Sequence, residues 1–222
     1  MEKGKKWLRW GIMLVAALFL FGACGSGTYD ASGYVKSILD AQTQGEYDEY
    51  VELSESTQEE AEDLYKENID TQMEGLEGMG LSDDLSDKYR ELFVNVYKNA
   101  KYEVGEAEEG EDESFTVPVE VETYQLFDGV EEELATYQEE MIKELTAQMT
   151  ETGEMPDEAE ITEDVFQHMY ELLNERVENP TYGEKTTIKV AVTKNADGIY
   201  EADEKDMEEI GRKIIDADAF MV

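Results

Sequence analysis

One cysteine, one histidine, three prolines and 18 basic residues among 222 leave this sequence poor in the parts from which cross-links and active sites are usually made. A single cysteine, Cys24, excludes an intrachain disulfide and a thiolate metal cluster. The only histidine, His168, lies between Phe166-Gln167 and Met169-Tyr170 in a helical stretch. It therefore reads as a helix-surface or partly buried structural residue. No Ser-His-Asp or Cys-His arrangement assembles around it, and a zinc site would have to rely almost wholly on carboxylates, which suit harder cations. No residue is assigned a catalytic, cofactor-binding or metal-binding role on this reading. Both tryptophans, Trp7 and Trp10, fall within the first 23 residues, so tyrosine and phenylalanine are the only aromatics beyond them. The one long apolar run, residues 10–23, is shorter than the roughly 20 residues that a membrane-crossing helix needs.

What the sequence has in excess is acid. The first 23 residues hold four of the 18 basic and one of the 56 acidic residues; the remainder carries 14 against 55, a net charge of −41. Such a field repels nucleic acid and anionic headgroups, and attracts cations or basic partners. A nucleic-acid function is excluded. Solubility and standoff from an anionic surface account for the charge most simply, with diffuse binding of divalent cations as the alternative. High net charge with few aromatics would signal disorder, but 13 tyrosines are spread through segments of clear helix and strand periodicity. The chain is expected to fold around one core.

Lys3, Lys5, Lys6 and Arg9 followed by the apolar run and then Gly22-Ala23 form the three parts of a secretory leader. The stretch Leu20-Phe21-Gly22-Ala23-Cys24 resembles the lipobox of bacterial lipoproteins, with Phe21 where that family usually has Leu. The resemblance implies that Cys24 receives a diacylglyceryl group and that cleavage follows Ala23. It also implies a protein held by lipid on the outer face of the cell membrane. The domain reading is then a signal peptide over residues 1–23, a lipidated tether over 24–32 and a single domain over 33–222. Nine tether residues reach about 30 Å at most.

Tyr34, Val35, Ile38 and Leu39 make the stripe of an amphipathic helix, which Gly45 ends as a C-cap. A short helix follows through Tyr47, Tyr50, Val51 and Leu53. Ser56-Thr57-Gln58-Glu59 fits a capping box for a longer helix with Ala61, Leu64, Tyr65, Ile69, Met73 and Leu76 on one face. Ser82 is the expected N-cap of a fourth helix that buries Leu85, Tyr89, Leu92, Phe93, Val96 and Tyr97. The period then drops to 2. Tyr102 and Val104, an acidic turn over residues 108–113, and Phe115, Val117, Val119 and Val121 form a hairpin with one buried face. Pro118 marks an edge or a bulge there. Ile188, Val190 and Val192, the turn Asn195-Ala196-Asp197-Gly198, and Ile199-Tyr200 form a second hairpin. A helix over 204–215 with Met207, Ile210 and Ile214 inward closes the chain. Helices over about 129–151 and 162–178 make an insertion, residues 129–179, between the hairpins.

Helices followed by antiparallel strands, with Gly45-Glu46-Tyr47-Asp48 joining the first two helices, resemble the NTF2-like and cystatin-like superfamily. So does the ending Val190-Ala191-Val192-Thr193-Lys194-Asn195-Ala196-Asp197-Gly198-Ile199-Tyr200, with Tyr200 in the place of the aromatic that commonly follows the Asp-Gly turn. The whole looks like the lipoproteins of this superfamily found in Gram-positive bacteria, over residues 31 to 215. The resemblance implies an α+β fold: N-terminal helices packed on a curved antiparallel sheet of about four strands, with the two-helix insertion between the hairpins. Its enzymes often set an Asp with a His or Tyr inside the cone of the fold.

Three further expectations concern sites. With Thr193 at position 1, Asn195, Asp197, Gly198, Ile199 and Glu204 fall on positions 3, 5, 6, 7 and 12 of an EF-hand loop, yet Thr193 replaces the essential first Asp and a hairpin turn explains the segment. Met141, Met149, Met169 and Met207 are expected to fill core. Phe115, Tyr124, Tyr182 and Tyr200, near strand ends, would line the mouth of a cone cavity if one exists; filling the core is the simpler role. The function expected is a lipid-anchored binding or interaction module of the bacterial cell envelope without catalysis, its partners the membrane through the lipid and an envelope protein or cationic partner. An envelope enzyme or small-ligand binder using the cone, and weak divalent-cation binding by the acidic surface, are the alternatives.

Overall fold

The computed structural model describes residues 29–54, 56–153, 157–196 and 198–216. The leader, Cys24, the tether to residue 28, Pro156 and Asp197 lie outside the described residues, as does the side chain of Leu64. Four helices come first: α1 Ala31–Thr43, α2 Asp48–Ser54, α3 Gln58–Glu77 and α4 Asp83–Lys98. Strands β1 Lys101–Val104, β2 Glu108–Glu109 and β3 Phe115–Tyr124 follow, then helices α5 Val130–Thr152 and α6 Glu158–Glu178, strands β4 Tyr182–Lys194 and β5 Tyr200–Ala202, and helix α7 Glu204–Ile214.

Local chemistry sets the helix ends. Asp30 caps α1 by accepting from the Gly33 N–H, and Gly45, at φ +69°, turns the chain out of it. Helix α1 thus begins at Ala31, inside the stretch read as tether. The capping box of α3 uses Thr57 and Glu60, one residue on from the expected pair. Ser56 is buried and its hydroxyl lies 2.8 Å from that of Ser54, which removes it from the competition. Ser82 caps α4 as expected, and all six of that helix's forecast inward residues are buried.

The sheet is antiparallel and curled, in the order β1-β3-β4-β5. Its core face is an unbroken period-2 row: Val117, Val119, Val121, Val190 and Val192 have no exposed surface. Each such burial is worth about 1.5–3 kcal/mol. Helices α1 and α7 lie against this sheet, α7 bringing in Met207, Ile210 and Ile214. The insertion lengthens the helical layer. Helix α6 packs along α4 and α5 packs along α6. Three bonds lock α6 in place: the Ser82 N–H to Glu163 Oε2 at 2.9 Å, the Tyr89 hydroxyl to the Phe166 carbonyl at 2.7 Å, and Asn99 Nδ2 to the Val177 carbonyl at 2.9 Å.

The first hairpin differs from expectation in one respect. Glu108 and Glu109 are not turn residues but a short strand opposite Thr116 and Phe115, and the turn narrows to a 3-10 segment at Glu111–Glu113. Strands β1 and β2 therefore run along the same side of β3, interrupted between them. Pro118 explains the interruption. It sits inside the central strand, and its carbonyl accepts from the Gly105 N–H at 2.8 Å. In an antiparallel strand the N–H and C=O of one residue point to the same neighbour, so the donor that proline lacks would have faced the break. The chain passes close here: a Cβ on Gly105 would stand 2.9 Å from Pro118 Cγ.

Gly105→Ala is expected to destabilise the fold by about 1–3 kcal/mol through this overpacking. Pro118→Ala, which removes Cγ, should recover part of that loss in the double variant. Urea unfolding followed by far-UV circular dichroism gives the cycle; strictly additive effects would show that the contact is not the cause.

Candidate functional site

Helix α1 puts Lys36, Asp40 and Thr43 on one face by their spacing of four and three, and that face meets β1. Asp40 is only 8% exposed. The Tyr102 hydroxyl donates to Asp40 Oδ1 at 2.6 Å and lies 3.1 Å from Thr43 Oγ1, which itself donates to the Leu39 carbonyl at 2.7 Å. The Lys36 ammonium pairs with the second carboxylate oxygen of Asp40. That hydrogen bond, donated by Lys36 to the Asp40 carboxylate, holds the Lys36 pKa above the ordinary lysine range. Burial first, and the bond to Asp40 second, keep the Tyr102 proton on its oxygen well above the usual tyrosine range. This is a buried carboxylate beside an aromatic hydroxyl. Here each oxygen of Asp40 already has a partner, and the pair fastens α1 to β1. Sequence reasoning passed over Asp40. Its signal was an acidic residue beside an apolar helix stripe with Lys36 four residues before it; its partner Tyr102 lies 62 positions away and no local pattern connects them.

The four expected mouth aromatics do not come together. They separate into two pairs at opposite ends of β3, nine residue steps or about 30 Å apart. At the first end, Phe115 and Tyr200 have ring centroids 5.6 Å apart, and Tyr29 fills the space beside them. Its ring stacks on Tyr200 at 3.9 Å with 14° between planes, and lies 6.0 Å from Phe115 and 5.9 Å from Tyr34. Lys194 Nζ stands 5.0 Å from the centre of the Tyr200 ring. Burial raises the Tyr29 hydroxyl well above the usual tyrosine range and pushes that of Tyr34 up to about 12, a hydrogen bond with the Ala202 backbone acting the other way on Tyr34.

At the second end, Tyr124 and Tyr182 are cross-strand partners with centroids 5.7 Å apart. The Tyr182 hydroxyl donates to the Asn99 carbonyl at 2.8 Å, and Lys101 Nζ lies 4.8 Å from the Tyr182 ring centre. The chain returns here after α7: the Asp216 N–H donates to the Tyr124 carbonyl and Asp216 Oδ1 accepts from the Phe127 N–H, both at 3.0 Å. Burial raises the Asp216 carboxyl above the usual range, against the pull of backbone hydrogen bonds.

His168 stacks on Tyr137 at 3.9 Å, joining α6 to α5. The segment read against an EF-hand loop is the β4–β5 turn. Asn195 holds it by accepting from the Ile199 N–H at 3.1 Å and donating to Glu201 Oε1 at 2.7 Å, and Glu204 opens α7. Among the described residues, no group of three or more His, Cys, Asp or Glu is placed to hold a metal ion. Of the four methionines expected in the core, Met207 is buried, Met141 and Met169 are half-buried, and Met149 is 42% exposed. Helix α5 packs chiefly along α6, and Met149 lies near its far end, away from the sheet. Among the described residues no helix is long and apolar enough to cross a membrane.

No protein-family model matches this chain, and no curated protein sequence matches it. Its fold is similar to that of a Bacillus subtilis protein, ycdA, whose crystal structure is described as that of a candidate lipoprotein. The TM-score is 0.54 at 12% identity, over 85% of this chain and 56% of that one. Likeness at this identity is likeness of fold. The chain spans little more than half the length of that protein.

Two variants test the energetics of these groups. Tyr102→Phe leaves Asp40 buried with one hydrogen bond fewer and is expected to cost about 1–3 kcal/mol in urea unfolding. For Asp216, a folded-state pKa raised above the unfolded value means stability that is complete below the unfolded pKa and lost as pH rises through the folded one. Asp216→Asn keeps an acceptor for Phe127 and cannot ionise. Its Tm relative to the parent should therefore rise from pH 3 to pH 7; a difference that stays flat would show that the carboxyl is not held protonated by burial.

Proposed function

We propose that this chain is a lipoprotein of the bacterial cell envelope, anchored on the outer face of the membrane by a diacylglyceryl group on Cys24. Its α+β domain works by binding and not by catalysis. The observation that carries the anchor is Cys24 directly after a basic, apolar and small-residue leader. The fold shared with a protein described as a candidate lipoprotein agrees with it. A binding role is supported by the state of the groups that catalysis would use: Asp40 and Tyr102 are bonded to each other, and Tyr102 retains its proton. The charge of −41 excludes nucleic acid and favours an envelope protein or another partner of basic character. No cofactor is required for this role. A reading as an envelope enzyme or small-ligand binder would have to centre on Asp40, the buried carboxylate with an aromatic hydroxyl beside it.

The anchor is tested in cells. The parent chain is expected in the membrane fraction, Cys24→Ala in the soluble exported fraction, and globomycin should leave the leader uncut. Indifference to both treatments would sink the lipoprotein reading.

A further inference from the structure

Tyr29 is the first described residue, and it is already part of the packed domain. It precedes the helix cap at Asp30, and its ring is set among Tyr200, Phe115 and Tyr34 at centroid distances of 3.9, 6.0 and 5.9 Å. The Ser32 hydroxyl adds a bond to the Gly105 carbonyl at 2.8 Å just beyond it. Only five residue steps separate Tyr29 from Cys24, and at about 3.3 Å per step the chain between them reaches no more than roughly 17 Å. This is little more than half the reach of a tether that ran on to residue 32.

We infer that the Tyr29 seat is a clamp that sets which end of the domain meets the bilayer. The end of the sheet carrying Phe115, Tyr200, Lys194 and Glu109 faces the lipid headgroups, and the Tyr124–Tyr182 end is held away from them. This rests on acylation of Cys24. The short leash fixes which end is near. Charge decides that the domain stands rather than lies. A body of net charge −41 is repelled by an anionic surface within a Debye length, about 8–10 Å at physiological salt, so it places the least of itself there that the leash allows. The seat is made by ring stacking and not by the phenol group, because the Tyr29 hydroxyl is buried without a hydrogen-bond partner among the described residues. Phenylalanine would serve in its place and alanine would not.

The chain itself supplies the means of testing this. With Cys24 acylated there is no other thiol in the sequence, so a single cysteine can be introduced and labelled in the full lipidated protein. Glu109→Cys lies in register with Phe115 at the near end, and Glu184→Cys stands next to Lys185, the partner of Glu122, toward the far end. Both positions are exposed. In anionic vesicles carrying a nitroxide on the lipid headgroup, the fluorophore at 109 is expected to lose most of its emission and the one at 184 to keep it. Tyr29→Phe should preserve that contrast and Tyr29→Ala should shrink it. Equal quenching at the two positions, or a contrast unchanged in Tyr29→Ala, overturns the inference. Protein that does not partition onto the vesicles at all would instead overturn the lipid anchor on which it rests.

Discussion

Val117, Val119 and Val121 on β3 and Val190 and Val192 on β4 share one face, wholly removed from water, and the placement of everything else follows from that layer. A slip of one residue between β3 and β4 would turn the slipped strand's valines to the solvent face, so the burial of both rows fixes the register. The register in turn fixes where the strand ends lie. It sets Phe115 beside Tyr200 at one end and Tyr124 across from Tyr182 at the other. Helices α1 and α7 cover the layer, α1 bringing Asp40 to Tyr102, and the first and last turns of the fold close over opposite ends of the same strand.

The outer face of the sheet shows how an acidic chain remains folded. Lys101 pairs with Glu122 at 2.8 Å and Lys185 with Glu120 at 3.2 Å across the strands, and at the strand end beside Tyr200 Lys194 meets Glu113 at 2.8 Å. Exposed pairs of this kind contribute less than about 1 kcal/mol each. Their value here is that they set the scarce basic residues opposite carboxylates that would otherwise face only one another on a shared face. Much of the remaining acid lies along α3, α5 and α6, where long exposed helix surfaces keep it solvated.

Much of this architecture was legible in the sequence because it is written in local periods. The buried rows of α4 and β3, the insertion helices and the Asn195 turn all follow from spacing and caps within a dozen residues. What was not legible depends on distance along the chain. Thr57 and not Ser56 caps α3 because Ser56 is taken by Ser54, and both positions satisfy the same motif. Met149 has the spacing of a core residue but lies near the far end of a helix that packs chiefly on α6. Tyr29 reads as tether until Tyr200, 171 positions later, is known to lie beneath it. The candidate polar site was the least legible part: Asp40 and Tyr102 each look ordinary alone, and only the fold makes them a pair. The aromatic mouth failed for a simpler reason. Four rings near strand ends share a site only if they are near the same ends.

Gly105 and Pro118 bear on a problem that belongs to populations of this molecule rather than to one copy. A continuous outer strand offers a row of unpaired amides and carbonyls onto which another chain can dock and extend the sheet. Lipid-anchored copies would diffuse in a single plane at similar heights, where such edges meet far more often than in solution. The break that Pro118 imposes between β1 and β2 leaves one edge in two short pieces, and Lys185 and Lys189 on the exposed strand β4 place charge along the other. A proline in the middle of a central strand thus acts at its neighbour's margin, shortening the edge onto which a second copy could add.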